Sequence, residues 1–264
     1  MSELRPTGGP CRPLAGRTAL VTGAASGIGA AIALAFAEAG AQLCLADRTV
    51  GVALETVRSQ CAELGRDLGS EMVTVHADVS EEDDVERMFL QARGALGHID
   101  TVVNNAGILT ESHIVDMPTA LFDQMIAVNL RSVFLCSRAA LAPMLAAGFG
   151  RIINIASQVG QRGGAGLGHY AAAKAGVIGL TRSLAREVGG TGITANCIAP
   201  GPINTPLGGQ LSPEWTQSLM AGLPLKRSGE PFEVAPTAVL LASDPGGNLY
   251  TGQTLGPNSG DVML

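Results

Sequence analysis

Thr22-Gly23-Ala24-Ala25-Ser26-Gly27-Ile28-Gly29 decides the fold. The stretch lies between an apolar run, Thr18–Thr22, and a helical pattern, Ile28–Ala39. Glycines at such a turn permit a tight bend and let the backbone approach a pyrophosphate, while the helix N-terminus adds partial positive charge. Gly23, Gly27 and Gly29 are therefore candidate cofactor-binding positions. A second apolar run, Gln42–Ala46, ends at Asp47, eighteen residues past Gly29. A carboxylate there can accept hydrogen bonds from both ribose hydroxyls of an adenosine and would repel a 2′-phosphate. The expected cofactor is NAD, with NADP less favoured. Arg48, next along, could offset part of the repulsion.

The same alternation continues outward. Further apolar runs are Met72–His76, Ile99–Val103, Arg151–Ile155, Ile193–Ile198 and Gln253–Leu255. Helical patterns cover Val50–Leu64, Glu81–Leu96, Thr119–Ala146, Tyr170–Val188 and Pro231–Leu241. The early strands are apolar throughout, as in sheets covered on both faces. Repeated β-α-β order predicts an α/β fold: a single-domain, Rossmann-like, doubly wound parallel sheet of about seven strands, with helices on both faces. Residues 14–264 form that domain, and the Pro- and Gly-containing segment 1–13 reads as a flexible tail. Ser80, with Asp83 and Asp84 after it, is the expected cap of the third helix, and Pro231 suits a first helical position. The stretch 202–228 interrupts the rhythm and is read as an irregular substrate lid.

Composition narrows the function classes. The chain has 264 residues, 35 of them glycine, and only 3% aromatics, so its core must be built of Ala, Val, Ile and Leu. Its formal net charge is −6 and no basic run stands out, which speaks against a nucleic-acid partner. No apolar run reaches the length of a membrane span, and no membrane association is expected. Cys11, Cys44, Cys61, Cys136 and Cys197 are scattered without a CxxC pair. They suggest neither disulfides nor zinc and fit a reducing, cytoplasmic setting. The N-terminus has no apolar stretch of the kind a signal peptide carries. His76, His98 and His113 lack ligand spacing, so no metal is expected.

Four further motifs follow in order. Asn104-Asn105-Ala106-Gly107 follows the fourth strand, Ser157 ends the fifth, Tyr170-Ala171-Ala172-Ala173-Lys174 begins thirteen residues later, and Pro200-Gly201 follows the sixth. With the glycine turn and Asn129, these make the chain resemble the short-chain dehydrogenase/reductase family from about Leu14 to the C-terminus. The resemblance implies Asn129, Ser157, Tyr170 and Lys174 as catalytic residues. It places Ser26 and Ile28 along the cofactor phosphates, Asp47 at the adenosine ribose, and Asp78 and Val79 around the adenine. Asn105 and Gly107 would flank the cofactor ribose, Ile203 and Thr205 would contact the nicotinamide, and Lys174 would also bind the nicotinamide ribose. Relatives are usually homotetramers, assembled partly through the last strand and the helices at 119–146 and 170–188. The C-terminal Pro257 and Ser259-Gly260 depart from the usual pattern.

The chemistry can be read from the residues as well. Removing the proton of an alcohol asks for a base, and an unperturbed Tyr, with a pKa near 10, is a poor one at neutral pH. Tyr170 and Lys174 are neighbours at i and i+4, and an ammonium beside a phenol should lower its pKa. Ser157 can fix the substrate oxygen, and Asn129 would hold a water that links Lys174 to solvent. His169 should point away, at the pocket rim or the surface. Trp215 is read as packing, and Arg162 as a solvated loop charge. The five glycines of Gln158–Gly168 suggest a roomy cleft, and Leu207, Leu211 and Met220 an apolar cover. The leading function is NAD(H)-dependent interconversion of a secondary alcohol and its ketone. The alternatives are an NADPH-dependent 3-ketoacyl-thioester reductase and a non-catalytic dinucleotide-binding protein.

Overall fold

The computed structural model describes residues 12–49 and 51–263. The expected tail, apart from Arg12 and Pro13, lies outside these residues, as do Cys11 and Val50. Seven parallel strands form one sheet in the order β3-β2-β1-β4-β5-β6-β7. They are β1 Thr18–Thr22, β2 Gln42–Asp47, β3 Met72–His76, β4 Thr101–Asn104, β5 Gly150–Ile155, β6 Ile193–Ile198 and β7 Thr254–Leu255. Every residue of β1, β4, β5 and β6 is buried, which is why these strands lack polar alternation. The expected single-domain doubly wound sheet is the observed one.

Helices α1 (Gly27–Glu38), α2 (Val52–Leu64) and α9 (Pro231–Ala242) cover one face, and α3 (Glu82–Leu96), α5 (Ser132–Ala147) and α7 (Gly168–Glu187) the other. The core is aliphatic on both sides, with Phe36 and Phe89 its largest fully buried side chains. α1 and α9 pack on each other, and both bury alanines (Ala33, Ala37, Ala235, Ala238), so the scarcity of aromatics is matched by small side chains in the core.

Several local expectations need correction. The third helix is not capped by Ser80; Glu81 is its N-cap, and Ser80 Oγ instead donates to Asp78 Oδ1 at 2.6 Å. The carboxylate of Asp84 accepts from the Asp78 N–H at 3.0 Å, so the acidic first turn satisfies a loop amide. The pattern at 119–146 is α4 (Thr119–Ile126) and α5 joined by a π-helical segment, Ala127–Arg131. Thr119–Ala147 as a whole is long and apolar enough to cross a membrane, yet half of its apolar window is buried, with α5 packed on β4, β5 and α3. The lid is not irregular: α8 (Pro213–Gly222) lies inside it, with Ser212 Oγ accepting from the Trp215 N–H at 3.2 Å. Pro231 does open α9, where Glu230 and Glu233 form a capping box.

The strand order reverses between β1 and β4, the place where open α/β sheets leave a crevice at the strand C-termini. Asn105 closes the base of that crevice. Its Nδ2 donates to the carbonyls of Thr22 (2.9 Å) and Gly23 (3.1 Å), while Thr22 Oγ1 accepts from the N–H groups of Asn105 and Ala106. Gly29 packs so tightly on the Gly23 carbonyl and the Asn105 amide that no Cβ fits, and Gly23 turns at φ +65°.

Candidate functional site

A cleft of about 830 Å³ opens at the C-terminal ends of the strands. Its walls bring together Gly23, Ser26, Gly27 and Ile28, then Asp47, Arg48, Asp78 and Val79. Asn105, Gly107, Ser157, Tyr170, Lys174, Ile203 and Thr205 complete the lining among the residues singled out from sequence. Three of those residues stay out of it, Met220 of the expected apolar cover among them. Gly29 serves the packing just described. Asn129 is fully buried in the π segment.

At one end of the cleft Asp47 is held by main chain. Its Oδ2 accepts from the Ala25 N–H at 3.1 Å and its Oδ1 from the Thr49 N–H at 3.0 Å. The carboxylate is thereby fixed beside the glycine turn and the first turn of α1. At β3, Asp78 Oδ1 accepts from the Ser80 N–H at 2.9 Å and shapes the loop that carries Val79.

In the middle of the cleft lie Ser157, Tyr170 and Lys174, exposed by only 8%, 8% and 4%. Ser157 caps the short helix α6 (Gln158–Arg162), its Oγ accepting from the Val159 N–H at 3.1 Å. Lys174 Nζ donates to the Ile155 carbonyl at 2.7 Å and stands 5.7 Å from the centre of the Tyr170 ring. Burial lowers the Lys174 pKa to about 8. Burial also pushes Tyr170 up to about 12, with a hydrogen bond to Ser157 pulling the other way. The expected lowering of the phenol by the Lys174 ammonium is not seen in this protein alone, where desolvation dominates.

The Asn129 side chain does not reach Lys174. Its Nδ2 donates to the carbonyls of Ile108 (3.0 Å) and Met125 (3.2 Å), and its Oδ1 accepts from the Ile108 N–H at 3.2 Å. A Cβ on Gly107 would meet that Oδ1 at 2.5 Å. Asn129 thus fixes the loop after β4, and a water linking Lys174 to solvent would have to use its main chain or that oxygen's second lone pair. The wide π turn supplies the geometry, and such turns recur at functional sites.

Three peripheral expectations change. His169 is neither rim nor surface: it is completely buried, with Nε2 2.8 Å from Thr110 Oγ1. Arg162 is paired with Asp261. Gly160 does not loosen the cleft wall, since a Cβ there would lie 2.7 Å from the Lys174 backbone; it lets α6 pack on α7. Trp215 does pack, as expected, among Leu109, Val159 and Leu167, and its Nε1 donates to the Ala165 carbonyl at 3.1 Å. Glu111 was missed from sequence. Its carboxylate accepts from both the N–H and the Oγ of Ser212 at the start of α8, at 3.0 and 3.2 Å.

A doubly wound sheet with a glycine turn and a buried Ser-Tyr-Lys group over its switch point defines a dinucleotide-binding oxidoreductase class. A family model described as enoyl-(acyl carrier protein) reductase matches residues 23–260. The chain is 41% identical over 239 residues to BbsD of Thauera aromatica, a hydroxy(phenyl)methylsuccinyl-CoA dehydrogenase subunit, covering 90% of this chain and 94% of that protein. It is 39% identical to a 3-oxoacyl-(acyl carrier protein) reductase of Synechocystis sp., covering 95% and 99%. Among solved structures, levodione reductase superposes with a TM-score of 0.88 at 36% identity, over 94% of this chain and 98% of that one. A short-chain type dehydrogenase/reductase from Mycobacterium marinum gives a TM-score of 0.89 at 35% identity, over 96% and 98%. The chain belongs to the short-chain dehydrogenase/reductase family and is an oxidoreductase that uses a nicotinamide dinucleotide.

Proposed function

We propose that this enzyme interconverts a secondary alcohol and its ketone with NAD(H), using Tyr170 as the acid and base. One observation carries the reading: Ser157, Tyr170 and Lys174 are buried together in a cleft whose far end holds the fixed carboxylate of Asp47. The cleft fits a dinucleotide, because Gly23, Ser26, Gly27 and Ile28 line it and no side chain caps the N-terminus of α1.

When bound, the nicotinamide dinucleotide supplies or accepts the hydride. Of the residues lining the cleft, Ser26 and Ile28 would hold its phosphates, Asp47 and Arg48 its adenosine ribose, and Asp78 and Val79 its adenine. Asn105 and Gly107 would flank its ribose, with Ile203 and Thr205 toward its nicotinamide. Ser157 holds the substrate oxygen against the Tyr170 hydroxyl. Tyr170 takes the alcohol proton in oxidation and returns one to the ketone oxygen in reduction. A phenol near 12 is far from the working range of a general base at neutral pH. Positive charge beside it, from a protonated Lys174 and from an oxidised nicotinamide when bound, would bring it down.

The names of the relatives favour a thioester-linked substrate, a 3-oxoacyl or 3-hydroxyacyl group, over a free alcohol. NADPH use remains the alternative for that substrate; Asp47 supports NAD(H), since its charge opposes a 2′-phosphate. Initial rates with acetoacetyl-CoA and either NADH or NADPH separate the two. A higher kcat/KM with NADH is expected, and a strong NADPH preference would refute the cofactor reading. A homotetrameric, cytoplasmic enzyme is part of the same proposal. Half-exposed Phe122 and Phe134 on the 119–147 helix and the open β7 edge support assembly, and the four free cysteines among the described residues, all buried, support a reducing compartment.

A further inference from the structure

The lid side of the cleft is apolar. Leu109, Val159, Leu167, Leu207, Leu211 and Trp215 line it beyond Ser157 and Tyr170. The charged side chains nearest to it are engaged elsewhere, Glu111 with Ser212 and Arg162 with Asp261, and neither lines the cleft. Its polar lining is also mostly satisfied or wet. Asn204 bonds Glu230, Ser228 bonds Met220 Sδ, and Thr216 is exposed.

Gln158 differs from all of these. It follows Ser157 directly, lines the cleft, and is only 2% exposed. Its main-chain N–H is tied to the Pro200 carbonyl at 3.0 Å, which fixes the residue at the end of β5. Its side-chain Oε1 is buried with no hydrogen-bond partner among the described residues. Leaving an amide unpaired in such surroundings is costly, and a ligand that pairs it recovers that cost. An amide can accept through Oε1 or, after a half-turn about its last torsion, donate through Nε2.

We propose that Gln158 is a specificity-determining residue that hydrogen-bonds a second, uncharged oxygen function of the substrate, on a carbon one or two removed from the reacting carbinol. This rests on the hydride-transfer reading of the site and deepens it. The substrate class is a neutral β-oxygenated ketone or alcohol with an apolar remainder: a 3-oxo ester or thioester, or a hydroxyketone. A simple ketone leaves Gln158 unpaired, and a carboxylate meets an uncharged apolar wall.

The test compares wild type with Gln158→Met, which keeps the length of the side chain and removes its polar atoms. The probes are ethyl 3-oxobutanoate, 4-hydroxy-2-butanone, 2-octanone and acetoacetate, each reduced under saturating reduced cofactor. In wild type, ethyl 3-oxobutanoate should exceed 2-octanone in kcat/KM by ~30-fold or more, with acetoacetate weakest. Gln158→Met should lower the ester's kcat/KM by ~10–100-fold and leave 2-octanone within about twofold, collapsing the ratio. A parallel loss with 4-hydroxy-2-butanone would show that the amide also serves a hydroxyl; loss with the ester alone would assign it to a carbonyl. An unchanged ester-to-ketone ratio in the variant would overturn the assignment while leaving the hydride-transfer reading intact. If wild type turns over none of the probes with either NADH or NADPH, the hydride-transfer reading fails and the assignment fails with it. A variant that is merely unstable lowers all rates together, and Gln158→Glu supplies a second check: it should depress the ester without restoring the ratio.

Discussion

The two ends of the cleft are built by different means. The dinucleotide side is main chain pinned by polar side chains: Asn105 holds the carbonyls of Thr22 and Gly23, and Asp47 takes the N–H groups of Ala25 and Thr49. The lid side is side chains tied across long sequence separations: Glu111 to Ser212, Trp215 to Ala165, Arg162 to Asp261. The first set is part-buried except at Thr49; the second is exposed and costs little to open. Catalytic residues stand where the two meet. A rigid cofactor seat beside an openable lid lets one cofactor geometry serve whatever the lid admits.

The largest effect should come from the meeting point. Tyr170→Phe should lower turnover at least ~100-fold while NADH still binds, as followed by its fluorescence. If turnover survives, Tyr170 is not the acid and base, and the boundary between the two ends lies elsewhere. Lys174 gives a second, thermodynamic handle on the same place. Its folded pKa, near 8, lies below its ordinary 10.5, so the folded chain loses that proton first. The unfolded chain then binds more protons between about pH 8 and 10.5, and stability rises with pH across that window. Below it, the buried ammonium costs on the order of 3 kcal/mol. Lys174→Met should therefore be more stable than wild type in urea at pH 7, by an amount that shrinks toward pH 10, while turnover is lost. A variant less stable at both pH values would mean that the bond to the Ile155 carbonyl offsets the burial.

The same contrast decides what could be read before the structure. The dinucleotide side was legible because spacing makes it: a glycine turn must follow a strand and open a helix, and Asp47 must end the next strand. The strands were legible because burial on both faces leaves them continuously apolar. The lid was not, because Glu111 and Ser212 are 101 residues apart and nothing local pairs them. Part of it was readable all the same: Ser212-Pro213-Glu214 is an ordinary helix start, obscured by the glycines and prolines around it. The burial of His169 was missed for another reason. Its helix face was judged by its distance from Tyr170, whereas Thr110 of the loop after β4 covers it. The π segment at Asn129 has no sequence signature, since it exists to bring one amide onto the Ile108 backbone.

Asp47 allows a test confined to the rigid end. Replacing it with Asn keeps the shape and removes the charge. The ratio of kcat/KM with NADH to that with NADPH should fall ~10–100-fold, since hydrogen bonds to a charged acceptor are worth about 1.5–3 kcal/mol each and the repulsion of a 2′-phosphate is relieved. The KM for the carbonyl substrate should stay put. A change in substrate KM as large as the change in cofactor ratio would show that the two ends are coupled rather than separate.

Glu111 offers the complementary test at the openable end, with the smallest expected effect. Its carboxylate sits at the N-terminus of α8, where it accepts two hydrogen bonds from Ser212 and faces the positive end of the helix dipole. Glu111→Gln keeps an acceptor and loses the charge. Because these hydrogen bonds are exposed, the cost is a fraction of what a buried pair would show. The lid should open more often, raising the carbonyl substrate's KM by about two- to fivefold with little change in kcat or in NADH affinity. Ser212→Ala should give the same direction, and the double variant should add almost nothing, because each removes the same contact. If the two effects add, Glu111 and Ser212 act on the lid through different partners. If NADH affinity falls in step with the substrate KM, the lid holds the cofactor as well, and the division between a rigid seat and a movable cover does not stand.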